Sequence, residues 1–230
     1  MKCWICNSVG NSGEHVIKAS DLRRYFGGVT QASPLYFNSS KEKNIVVGSI
    51  KSKRFKSNAL LCSNCNNNRT QPYDIAWEKL HEFLSLNWKD IKRKNKVDLS
   101  KIFPGNVKSS MLDVHLYFVK IFGCRIIENQ VPIDIRCLSK SLIKRMAHPH
   151  VYISIGNTMG KIKGKYAGVT KVSACNYNSK SIFANWFYTV GDISVNVIYS
   201  PVGRRLKTIS KAWHPTSIHK IMQIAKYERT

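Results

Sequence analysis

Acidic side chains are scarce in this chain. Only 13 Asp and Glu stand against 37 Lys and Arg in 230 residues, a formal net charge of +24. Such self-repulsion disfavours a neutral assembly module and points to a polyanionic partner, nucleic acid ahead of a membrane surface. Long apolar runs are also missing, so no transmembrane span is expected. No apolar leader precedes the first cysteine pair, and a cytoplasmic location is expected. Internal repeats and low-complexity tracts are absent, which sets aside solenoid and linker-like architectures. A disulfide framework is disfavoured too. The seven cysteines are odd in number, with four in two close pairs and Cys124, Cys137 and Cys175 scattered, a pattern that suits a reducing compartment.

What is present begins with those pairs, Cys3-Trp4-Ile5-Cys6 and Cys62-Ser63-Asn64-Cys65. Two Cys-x-x-Cys knuckles have the spacing for a tetrahedral four-cysteine zinc site that ties distant segments together. Four thiolates leave no open coordination position, so such a zinc is structural. Between the knuckles lies Glu14-His15-Val16-Ile17, and Asn66 directly follows the last cysteine. Glu14 and Asn66 offer the hard oxygen ligands that a Mg²⁺ or Mn²⁺ ion prefers. His15 is then available as a general base that deprotonates water for attack on a phosphodiester.

The order C-x2-C, then E-H-V-I, then N-A-L-L-C-S-N-C-N resembles the zinc-stapled branch of the HNH nucleases over about the first third of the chain. The resemblance implies a ββα-metal unit in which Glu14 and Asn66 hold the catalytic ion and His15 is the base. It also implies that Asn58, on the strand leading into the second knuckle, orients the loop carrying the histidine. The expected activity is metal-dependent endonucleolytic cleavage, with DNA expected ahead of RNA, and restriction or phage defence as the setting. The alternative is a zinc ribbon that binds nucleic acid without cutting it.

Along the chain, residues 18–26 read as a short basic helix that presents Arg23 and Arg24 to phosphates. Residues 27–56 contain a β-like run at 45–47 and the basic Lys51-Ser52-Lys53-Arg54-Phe55-Lys56, whose Lys53, Arg54 and Lys56 are candidate nucleic-acid contacts. Arg69 is expected to point at a phosphate, and Gln71 and Asp74 to cap a helix over 72–86 or hold the zinc loop. Residues 87–101 read as a basic linker, which divides the chain into a nuclease unit, 1–97, and a basic α+β domain, 98–230, for substrate or a protein partner. Both parts are basic: 17 Lys and Arg against 7 acids in the first, 20 against 6 in the second. The second part is expected to be a buried helix over 110–123 ended by Gly123, then an antiparallel sheet and a C-terminal helix over 215–227. The fold class is therefore α+β, a zinc-stapled ββα unit followed by a sheet-plus-helix domain. Arg204 and Arg205 are candidate phosphate contacts, as is the basic run 161–165. The histidines at 115, 148, 150, 214 and 219 lack the spacing of a second metal site.

Overall fold

The cysteine pairs are joined through a short antiparallel ribbon. In the computed structural model, which describes residues 2–158, 164–202, 209 and 211–227, strand β1 (Ser12–His15) pairs with β4 (Lys56–Leu61). Ser12 lies opposite Leu61 and Gly13 opposite Leu60, but the register slips before His15 meets Lys56. A bulge of this kind re-aims the side chains around it. Glu14 is turned into the interior, while His15 is half-buried.

Helix α1 (Ala19–Phe26) follows, then a hairpin of β2 (Leu35–Phe37) and β3 (Ile45–Val47). The second knuckle opens into a wide helical turn over Asn64–Arg69, closed by Thr70 N–H donating to the Cys65 carbonyl. Helix α2 (Gln71–Lys94) begins there with Pro72 in its first turn, where its missing N–H costs nothing. It runs two turns further than the residue pattern suggests, through the stretch expected to be a linker. The extension is held by Trp88 and Ile91, which continue the buried row of Leu80 and Leu84, and Lys92, Arg93 and Lys94 suit the negative end of the helix.

The expected division at residue 97 falls inside β5 (Lys96–Asp98), which pairs with β11 (Ile221–Gln223). Helix α3 (Val107–Glu128) is apolar on nearly all sides and buried as expected. Gly123 does not end it. A side chain there would come within 2.4 Å of the Trp4 ring, so the glycine is a notch into which the first knuckle's indole packs. Helix α4 (Ile135–Lys144) was not expected, although Asp134, which accepts from the Arg136 N–H, and the buried Leu138 and Leu142 are its signals.

A sheet closes the fold. Strands β6 (Val151–Thr158), β7 (Ala167–Val169), β8 (Ser173–Tyr177), β9 (Lys180–Val190), β10 (Ile193–Tyr199) and β12 (Ala225–Tyr227) run in the order β12-β6-β10-β9-β7, with β8 also pairing β9. Gly191-Asp192 forms the two-residue turn between β9 and β10, with Gly191 at φ 59°. The C-terminal helix expected over 215–227 is replaced by a short turn, Pro215–Ser217, and by β11 and β12, the latter parallel to β6. The apolar spacing there fits a helix, but Met222 is buried where β11 pairs with β5, and the Tyr227 hydroxyl donates to the Ser154 carbonyl at 2.7 Å, so tertiary contacts override it. One hydrophobic core takes in Cys3, Leu61, Trp77, Phe118, Trp186 and Val195 and so crosses residue 97 without a break. Among the described residues, no helix is long and apolar enough to cross a membrane.

Candidate functional site

The four paired cysteines converge. Ligand atoms of Cys3, Cys6, Cys62 and Cys65 all lie within 4.8 Å of one another, with the Cys6 and Cys62 sulfurs 3.5 Å apart. A tetrahedron of thiolates with metal–sulfur bonds of about 2.3 Å has edges of about 3.8 Å, so the four sulfurs lie close enough to hold a structural metal such as zinc. The first knuckle is shaped by Asn7, at φ 63°, whose N–H donates to the Cys3 carbonyl at 2.8 Å. Hydrogen bonds from the Ser8 hydroxyl and backbone draw the Cys6 thiol down to about 6, whereas burial pushes the Cys65 thiol up. Arg69 serves this cluster: its Nη1 donates to Cys65 Sγ at 3.1 Å, so its cation faces sulfur and not an external phosphate.

Behind the ribbon lies a buried charge network. Lys120, on α3, is fully buried, and its Nζ lies 3.1 Å from Glu14 Oε2 and 2.8 Å from Asp74 Oδ2. Burial works against its charge, but Glu14 and Asp74 outweigh that and raise its pKa, so the ammonium persists. Lys18 shares Asp74 at 3.0 Å and reaches Glu78 at 3.3 Å. Two ammonium groups thus meet three carboxylates, a locally acidic cluster inside a strongly basic chain. Asp74 ties α2 to α3 and to Lys18, just ahead of α1, and does not cap its helix. Removing the central charge leaves the buried Glu14 and the half-buried Asp74 facing each other without it, and breaking a buried pair in this way typically costs about 3–5 kcal/mol. Lys120→Met is therefore expected to lower unfolding free energy by about that amount in urea titration. Wild-type stability in that variant would show that the pairs are not formed.

His15 is held differently from what the family resemblance implies. Its Nε2 lies 3.3 Å from the Ile50 carbonyl, and burial lowers its pKa below the ordinary histidine value. Asn58 is exposed on β4, and its backbone N–H donates to Glu128. Ile50, in the long segment before β4, supplies the carbonyl that holds the His15 ring. Asn66 donates from Nδ2 to Ser12 Oγ at 2.8 Å, and its Oδ1 is buried without a donor among the described residues.

Apart from Arg69, the expected phosphate contacts fall into three groups. Arg23, Lys53 and Lys56 are exposed. Arg24 is engaged by Asp21 at 3.4 Å and by Glu82 at 3.9 Å, and Arg54 by Glu42. Arg204 and Arg205, like 161–163 of the basic run, lie outside the described residues. Lys120 was missed by reading the sequence, although a lysine within the apolar run of 111–124 was its signal, since such a charge is rarely buried unpaired. Comparison with protein-family models, curated proteins and solved structures gives no match.

Proposed function

We propose that this protein is a metal-dependent endonuclease of the HNH type, with a structural zinc at the four cysteines and a divalent ion beside Glu14 and Asn66. The observation that carries the proposal is His15, adjacent in the chain to a buried carboxylate and held by one carbonyl. When Nε2 carries the proton and donates to Ile50, Nδ1 is left with its lone pair, the form a general base needs. The depressed pKa keeps that imidazole neutral at physiological pH. His15 would take the proton from the attacking water.

The residues fit a divalent cation. Asn66 Oδ1 is a buried oxygen without a donor among the described residues, an acceptor that a cation satisfies. The ion pair with Lys120 engages Glu14 Oε2, so Oε1 is the oxygen left for the ion. With three carboxylates against two ammonium groups, the network has a negative charge to offset. When bound, Mg²⁺ or Mn²⁺ would stabilise charge on the phosphate and the leaving oxygen.

Plasmid incubated with Mg²⁺ or Mn²⁺ should be nicked or linearised, and EDTA should abolish the product. Parallel digestion of DNA, tRNA and total RNA identifies the substrate, with DNA expected. The rival reading, a zinc ribbon that only binds nucleic acid, draws on Lys120 already neutralising part of Glu14. It predicts retarded but intact DNA with every metal, and that result would end the nuclease reading.

A further inference from the structure

Residues 27–55 separate α1 from β4 and carry the β2–β3 hairpin. Every strand residue in it is apolar. Tyr36 lies opposite Val46, with Leu35 opposite Val47 and Phe37 opposite Ile45 on either side. Because side chains alternate across a strand, the two flanking pairs share one face and the central pair takes the other. The inner face is covered: Val47 is buried, and Phe37 meets Phe55 edge-on at 6.2 Å. Tyr36 and Val46 form the outer face, 63% and 58% exposed.

Single exposed apolar residues need no explanation. A cross-strand pair on the outer face of a two-stranded ribbon is different, because the fold gains little from leaving both in water. The surroundings indicate what covers it. Residues 34–56 contain six Lys and Arg and one acid, Glu42, which is already paired with Arg54. Lys41 and Lys43 are exposed in the loop at the hairpin tip, and Lys51 and Lys53 are exposed beyond β3. An apolar ridge between cations suits a partner with phosphate rails and a less polar floor. A two-stranded ribbon fits the major groove of duplex DNA, where thymine methyls offer apolar contact.

We propose that the β2–β3 hairpin is a duplex-binding arm that sets Tyr36 and Val46 against base edges in the major groove, with Lys41, Lys43 and Lys51 on the flanking phosphates. The arm is coupled to the candidate base. Only residues 48 and 49 separate β3 from Ile50, whose carbonyl holds the His15 ring. Seating the arm therefore sets where His15 stands relative to the backbone of the same duplex, a consequence that rests on the nuclease reading, whereas binding by the arm does not.

The test uses full-length protein carrying His15→Ala, so that cleavage does not intervene, with a labelled duplex and its single strand as probes. Adding Tyr36→Ser and Val46→Ser should weaken duplex binding about tenfold or more, equal to about 1.4 kcal/mol, without changing the salt dependence. Lys41→Gln with Lys43→Gln should instead flatten the plot of log affinity against log salt by about 1.8 units, as expected for two phosphate contacts. Unchanged zinc content and melting temperature would show that the exposed substitutions leave the fold intact. Parental duplex affinity in the Tyr36/Val46 variant would overturn the proposal. So would a loss confined to single strands, which marks a stacking platform, or a changed oligomeric state with unchanged DNA affinity, which marks a self-association face. If the parent binds no nucleic acid, the polyanion reading falls with the arm; if it binds and the arm is indifferent, the arm alone falls.

Discussion

Cys65→Ser is expected to reduce bound zinc from about one equivalent per chain to a small fraction of that, and to lower the melting temperature of the whole protein. Structural zinc contributes about 10–16 kcal/mol of apparent binding energy in small zinc-dependent folds, against total stabilities of about 5–15 kcal/mol for ordinary domains. Even a fraction of that energy is enough to unfold the knuckles. The loss should spread, because Cys3, Cys62 and Cys65 belong to the same core as Trp77 and Phe118. Arg69 makes the effect worse: its guanidinium faces the Cys65 sulfur and would lose a thiolate partner. Elemental analysis and calorimetry measure both effects, and wild-type protein purified without zinc would remove the basis of the prediction.

His15→Ala should reduce cleavage by roughly 10²–10⁴ while zinc content and DNA binding hold. Glu14→Gln and Asn66→Ala should differ, since they would weaken the proposed metal site: part of their activity should return at high Mg²⁺ or with Mn²⁺. No metal concentration should restore a missing base, whereas added imidazole should restore part of the activity to His15→Ala. The pH profile gives a further check. If His15 is the base, activity would need its neutral imidazole and be lost as pH falls through the His15 pKa, which burial places below the ordinary value, so the acid limb should lie on the acidic side of 6.5. Wild-type cleavage by His15→Ala would sink the general-base assignment.

The features legible in the sequence were those with a local signature. Knuckle spacing predicts the sulfur cluster, β-branched runs predict β6, β9 and β10, and Gly191-Asp192 predicts their hairpin turn. What could not be read depends on contacts distant in sequence. Ile50 offers a backbone carbonyl, which any residue type could supply. Gly123 looks like a helix stop until Trp4 is seen against it. The strands at 221–227 follow from β5 and β6, not from their own pattern. Arg69 and Arg54 read as free cations, and only the fold reveals the sulfur and carboxylate that occupy them.

The contact between Glu14 and Lys120 also bears on synthesis. The two residues are 106 positions apart, and the notch for Trp4 lies further on at Gly123. At about 5–20 residues per second, Glu14 would leave the ribosome about 5–20 s before the lysine that neutralises it, and the completed pair of knuckles, ending at Cys65, would leave about 3–11 s before that lysine. During that interval the knuckles can be metallated, but their inner face has no cover. The nascent first third should therefore depend on chaperones or on early zinc loading, and a chain arrested before α3 should be cleared by proteolysis and not accumulate as a free zinc module.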